Sequence, residues 1–233
     1  MATSYSPKII TDGLVLCLDA ADKKSYSGSG TTWTDRSGNG YDAAINNGPT
    51  FNSANGGSID FDGSNDYATI TDVIIASPTS LTVGGWFNRN GNGANYETVL
   101  HHSTNTSIGG SSYWFGLQAD TNNICGTIGA NVSGIGWAAG LTNVVANVGV
   151  WHHVITTWDG SNVRTYVDGV LKKTYALSSY TNLTTPTRIG ASGDGGGYVM
   201  NASIANVFIS KNKHFTAAEV LQNYNATKGR FGL

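Results

Sequence analysis

The sequence predicts an all-β fold, an antiparallel sandwich or barrel forming one domain over residues 1–233, and two observations carry that expectation. In "WHHVITTWDGSNVRTYVDGVLKKT" (151–174), Val163, Thr165 and Val167 alternate with Arg164, Tyr166 and Asp168, the period of two of a strand with one buried face. Asp159-Gly160 and Asp168-Gly169 each end a β-prone run with residues that tolerate positive φ, so this segment reads strand, turn, strand, turn, strand. Similar short runs recur along the chain, separated by "RSGNG", "DGSND", "RNGNG" and "SGDGGG" clusters.

Taken in order, the other expected strands are Leu14–Leu18, Ser58–Phe61, Tyr67–Thr71, Leu81–Phe87, Glu97–His101, Tyr113–Ala119, Ile124–Ile128, Arg188–Ile189 and Ile204–Ile209. Trp151–Trp158 and Val163–Val167 complete the set. One helix is expected over about 216–227, at "HFTAAEVLQNYNATKG". Thr216 is placed to cap it and Glu219 follows three residues later, while Phe215 and Val220 occupy staple positions. Val220, Leu221 and Tyr224 share one face, and Gly229 is the expected stop before a tail over 228–233.

Composition narrows the function classes. Charged residues are 12% of the chain, against roughly 25% in an average protein. The 13 Lys and Arg are scattered rather than clustered, which argues against nucleic-acid binding. No run approaches the length of a membrane span. The start "MATSYSPKIITDG" shows no secretory signal, so synthesis in the cytoplasm is expected. Cys17 and Cys125 lie far apart in apolar runs and are expected to be buried free thiols.

Six segments in order, "GLVLCLDAAD", "WTDRSGNGYDAAINNGPTF", "SIDFDGSNDYATI", "SLTVGGWF", "WHHVITTWDGSNVRTYVDGVLKK" and "ASIANVFISKNKHFTAAEVLQNYNATKGRFGL", resemble the concanavalin A-like lectin/glucanase superfamily in its laminin G-like branch. The resemblance implies a two-sheet jelly roll with a shallow concave outer face. The "LDAA" opening and "NYNATKGRFGL" end look most like domains of bacteriophage virion proteins, particularly of marine and cyanobacterial phages.

Each chemical constellation has a plain structural alternative. Glucanases of this fold carry Glu-x-Asp-x-x-Glu on one strand. This chain has two glutamates, Glu97 and Glu219, and no such triplet, so it is not expected to be an enzyme. His101-His102 and His152-His153 point to opposite faces of their strands, which favours scaffold over chelation. The resemblance makes structural calcium an expectation, with Asp19, Asp22, Asp35, Asn39, Asp62 and Asp66 as ligand candidates. Trp86, Tyr113, Trp114 and Trp137 are the candidates for stacking on sugar rings. The Asn-x-Ser/Thr triplets at Asn105, Asn131, Asn182, Asn201 and Asn225 read as by-products of an Asn- and Thr-rich β surface.

The expected function is therefore a non-enzymatic bacteriophage structural protein on the particle exterior. It would contact other virion proteins of capsid or tail, bind host surface glycan weakly, and self-associate through exposed strand edges as a homo-oligomer. The alternative is a lectin-like carbohydrate-binding module of a bacterial surface or secreted protein.

Overall fold

The computed structural model describes residues 7–71, 75–92, 96–103, 111–118, 121–181, 183–192 and 197–233. Among these, sixteen strands run in the order β1 (Leu14–Asp19), β2 (Thr32–Trp33), β3 (Ala43–Asn46), β4 (Thr50–Asn52), β5 (Ser58–Asp62), β6 (Tyr67–Ile70), β7 (Leu81–Arg89) and β8 (Glu97–Ser103). They continue with β9 (Ser111–Leu117), β10 (Asn123–Ile128), β11 (Leu141–Val145), β12 (Trp151–Trp158), β13 (Asn162–Val167), β14 (Val170–Ala176), β15 (Thr187–Ile189) and β16 (Asn201–Lys211). One helix, α1 (Ala217–Thr227), follows.

The strands form two antiparallel eight-stranded sheets. Sheet A runs β14-β13-β12-β7-β16-β5-β4, with β1 also paired to β16; sheet B runs β11-β10-β9-β8-β15-β6-β3-β2. The inward faces meet in one core, to which sheet A gives Leu16, Phe61 and Phe87 and sheet B gives Leu100, Tyr113 and Phe115, all at most 1% exposed. The all-β sandwich with a short C-terminal helix expected from the sequence is the observed architecture.

The alternation in 151–174 is realised as three strands. Val163, Thr165 and Val167 point inward, and Asp168 and Gly169 form the β13–β14 turn at φ of 54° and 81°. The short edge or near-edge strands β2, β3, β4 and β11 were not expected. The expected run Ile204–Ile209 lies within β16, whose register shifts between Ile204 and Asn206. Ala202 and Ile204 before that bulge face the core, as do Val207 and Ile209 after it, so the inward parity changes midway.

The helix starts as expected. Thr216 accepts a bond from the Glu219 amide, and Glu219 accepts one from the Thr216 amide at 2.8 Å. Two details differ. Leu221 is 47% exposed while Asn223 is buried, because Asn223 Oδ1 accepts a hydrogen bond from the Ile10 amide at 2.7 Å. Gly229 does not stop the chain; a 3-10 turn covers Lys228–Phe231, and Gly232 takes the left-handed conformation instead. The strand limit expected at Ala119, the triplets at Asn105 and Asn182, and residues 193–196 of "SGDGGG" lie outside the described residues.

Cys17 and Cys125 are both free thiols, with Cys125 buried and Cys17 only half-buried. Trp158, on β12, is 4% exposed and donates from Nε1 to the Leu177 carbonyl at 2.8 Å. Trp158→Ala is expected to cost about 3–5 kcal/mol, the range for deletion of a buried aromatic, read from urea unfolding. A neutral substitution would show that the core is placed wrongly.

Candidate functional site

The outer face of sheet B carries a second aromatic cluster, separate from the core. On β9, Tyr113 and Phe115 turn inward, so Trp114 between them turns outward. Trp114 and Cys125 form a floor that is 0% exposed, and Tyr96, Trp137, Leu141 and Tyr198 pack over it half-buried. Trp114 donates from Nε1 to Thr98 Oγ1 at 3.0 Å, and the Cys125 thiol donates to the Trp137 carbonyl at 3.3 Å. Tyr96 meets Trp137 edge-on at 5.1 Å between centroids and Tyr198 at 5.2 Å, so one ring bridges the other two.

Local chain geometry brings these rings together. Trp137 opens a 3-10 turn, Trp137–Gly140, between β10 and β11. At Gly140 an added Cβ would come 2.1 Å from the Gly126 carbonyl oxygen, so only glycine lets the turn press onto β10. Tyr198 stands just before β16, and its carbonyl accepts from the Thr98 amide at 3.1 Å, tying it to β8. Further along the same face, Arg188 lies over the Tyr67 ring at 5.1 Å and donates to Thr69 Oγ1.

Of the four rings expected to stack on sugar, the structure leaves one half-open. Trp137 is in the patch. Trp114 is its buried floor, presenting no face to solvent. Tyr113 is wholly in the core, with its hydroxyl 2.6 Å from Thr187 Oγ1 and its ring stacked on His102. Trp86 is 0% exposed because α1 and the tail lie across it, with Phe231 at 4.3 Å, His153 at 4.9 Å and Tyr224 at 5.7 Å. The expectation of stacking faces at Trp86, Tyr113 and Trp114 is corrected by this burial. Tyr96 and Tyr198 were missed; each is a lone tyrosine after a Gly- or Asn-rich run, a weak signal.

The expected calcium ligands separate into three places. Asp19 Oδ1 accepts from Arg230 Nη1 at 2.8 Å and the Ala21 amide at 2.9 Å, and Asp22 pairs with Arg36 at 2.9 Å. Asp35 is 6% exposed and accepts from the amides of Cys17, Ser37 and Tyr41, while Asn39 donates to Val15 and Ser37. Asp62 and Asp66 share a polar groove at one end of sheet A, where burial holds the Asp66 carboxyl above its ordinary range. Among the described residues, no group of three or more His, Cys, Asp or Glu is placed to hold a metal ion. The side chains at these positions mainly fix turns through backbone amides.

Neither glutamate lies open for acid–base work. Glu97 is 3% exposed beside Arg89 Nε at 3.3 Å, and Glu219 is held by Lys213 at 2.6 Å and by the cap. The histidine pairs split across their strands: His101 faces outward beside Ser111 Oγ at 2.8 Å, and His102 faces the core.

With this geometry in hand, the profile of the concanavalin A-like lectin/glucanases superfamily matches residues 62–221, well over half of the chain. The chain belongs to that superfamily. No curated protein is significantly similar to it in sequence. Among solved structures, the superfamily fold is shared with the sialidase of Trypanosoma rangeli in complex with the inhibitor DANA, at TM-score 0.64 and 16% identity, over 95% of this chain and 35% of that one. It is shared with domain 4 of AbnA, an extracellular arabinanase of Geobacillus stearothermophilus, in complex with arabinotriose, at TM-score 0.66 and 16% identity over 91% and 98%. The binding domain of Paraclostridial Mosquitocidal Protein 1 matches at TM-score 0.67 and 13% identity over 93% and 52%. At such identities the likeness is one of fold, and this chain spans 35% of the sialidase chain. The narrower resemblance to bacteriophage virion proteins gains no support from these matches. No helix among the described residues is long and apolar enough to cross a membrane.

Burial dominates the histidine electrostatics. It lowers His101 to about 3, with His102 and Arg188 adding to the effect, and lowers His102 to about 4 and His153 to about 3. The folded protein keeps these rings neutral, whereas the unfolded chain takes up protons below its pKa of about 6.5. Stability is therefore expected to be fullest above pH ~6.5 and to fall as pH drops from there toward ~4. Urea midpoints at pH ~7.5 and ~5 test this, since model carboxylates stay largely ionised across that interval. Equal midpoints would contradict the buried neutral placement.

Proposed function

We propose that this chain is a non-enzymatic carbohydrate-binding module that holds a glycan against the Trp137, Tyr96 and Tyr198 patch on sheet B. The observation that carries the reading is three half-buried rings fixed over a buried tryptophan floor, outside the core. Aromatic faces of this kind accept the apolar side of a sugar ring, and rigid rings cost little conformational entropy on binding. Membership of a lectin/glucanase superfamily supports the reading, as does the fold shared with an arabinanase domain that holds arabinotriose. The absence of an open glutamate pair supports binding rather than cleavage.

Attachment to a larger assembly, such as the capsid or tail of a virion exterior, is a second reading with one observation in its favour. Val170 and Leu171 on edge strand β14 are 54% and 47% exposed, and Leu221 of α1 lies against neighbouring Gly169. Exposed apolar side chains on a sheet edge suit protein contact. Mass spectrometry of purified particles tests that setting, and absence from intact virions would reject it.

Glycan arrays and titration calorimetry test the main reading. Trp137→Ala is expected to weaken glycan binding at least tenfold, about 1.4 kcal/mol, with little change in melting temperature. Trp114→Ala is expected to destabilise the fold by about 3–5 kcal/mol because it removes the buried floor. Unchanged affinity in Trp137→Ala would reject the patch as the binding surface.

A further inference from the structure

Eight large aliphatic side chains among the described residues are 40–55% exposed, and six of them share one corner of the sandwich. They are Val145, Val148, Val150, Val170, Leu171 and Leu221. Exposed aliphatics scattered singly are ordinary, but a gathered set marks a surface that another molecule covers.

Strand register makes this corner. β11 and β14 are the end strands of the two sheets and lie against each other. Between the sheets, a Cβ on Gly126 of β10 would come 2.9 Å from Thr165 of β13. Two residues further along β10, the Ile128 carbonyl accepts from the hydroxyl of Tyr175, which is paired with Val163. The opposite direction along β10 leads to Asn123, so Asn123 and its partner Val145 lie toward Val167. Val170 is paired with Val167, which brings Val145 and Val170 to the same end. The chain then passes through an exposed turn at Val148 and Val150 into β12, whose Val154 also pairs with Val167. On the other side of the β13–β14 turn, a Cβ on Gly169 would come 3.1 Å from Leu221, so α1 borders the corner.

The rim suits a copy of itself. Asn143, Asn147 and Asn225 are exposed close in sequence to Val145, Val148 and Leu221. A carboxamide both donates and accepts, so it can pair with the same group across a two-fold axis, whereas a charged rim repels its own copy. The formal net charge of -2 opposes association little. The six side chains uncover on the order of 450 Å², close to the apolar part of the roughly 800 Å² that each partner gives to a standard interface.

A continuous sheet through two β14 strands is a poorer arrangement. Lys172 is exposed and lies where the register of β14 shifts against Thr165 and Tyr166, and a lysine at a bulge blunts an edge. Its stem still covers apolar surface while the ammonium stays in water. We propose that this corner is the interface of a two-fold homodimer, made by side-chain packing with the β13–β14 turn nearest the axis. Glycan binding plays no part in it. The attachment reading draws on the same hairpin, and an unrelated protein is therefore the competing occupant.

Sedimentation velocity of the whole chain over a range from ~5 to ~200 μM is the test, and a reversible monomer–dimer equilibrium with Kd below about 100 μM is expected. Val148→Asp and Leu171→Asp, both at exposed positions, should each weaken dimerisation at least tenfold with the melting temperature at the lowest concentration unchanged. If one of them fails to fold, the other decides. Thr50→Asp, exposed on β4 at the far edge of sheet A, should leave the dimer as it is. A monomer throughout the range would overturn the proposal and leave the corner to another protein. A dimer that tolerates both corner variants, or that Thr50→Asp weakens equally, would overturn it too. So would growth beyond a dimer with rising concentration, because a two-fold contact closes on itself.

Discussion

Strand β16 is the constraint on which the rest of the sandwich depends. Its eleven residues pair with β7 along one side and with both β1 and β5 along the other, so one strand fixes the relative register of three neighbours. The bulge near Ala205 makes this double pairing workable. It turns Ala205 toward the cluster with Trp86 and Trp151 while Ile204 and Val207 both remain in the core. Across it, Gly85 meets the Asn206 carbonyl, where a Cβ would come within 2.3 Å, and Asn206 Oδ1 accepts from the Trp86 amide at 3.2 Å. The close approach of β7 to β16 is thus set by a missing side chain.

The two outer faces are then finished differently. On sheet A, Phe231 inserts between Trp86 and Trp151, at 4.3 and 4.4 Å from their rings, and Trp86 Nε1 donates to Thr227 Oγ1 at 2.8 Å. The helix and tail therefore complete a second apolar layer that buries rings the strand pattern alone would leave facing solvent. On sheet B, a short turn and two tyrosines bury Trp114 completely but leave the covering rings, Trp137 among them, half-exposed. The same residue type is structural on one face and available for recognition on the other, and the difference lies in what the following chain segment covers.

This is why the fold was more legible in the sequence than the site. Period-two alternation over 151–174 and the Thr216–Glu219 spacing are local signals, and both correspond to local structure. Burial of an outward-facing tryptophan is not local. Trp86 is covered by residues more than a hundred positions later, and nothing near "GGWF" reports that. Tyr96 and Tyr198 lie just before β8 and β16, outside any alternation, and gain their roles from where those strands start. The aspartates of the opening segments carried a real signal of a different kind: Asp19, Asp22 and Asp35 organise turns through backbone amides and arginines.

The pairing of β1 with β16 has a mechanical side. Leu14, where β1 starts, lies opposite Ser210, near the end of β16, so the two strands leave the sheet at the same end. Tension on the flanking chain would first meet the clasp made by Asn223 with Ile10 and Gln222 with Lys8. Beyond that clasp the β1–β16 ladder is loaded in the unzipping direction, one hydrogen bond at a time, and not in shear. Resistance to pulling is then concentrated in the helix contacts and the Arg230–Asp19 pair, which makes the C-terminal segment the tether point of the sandwich as well as its cover.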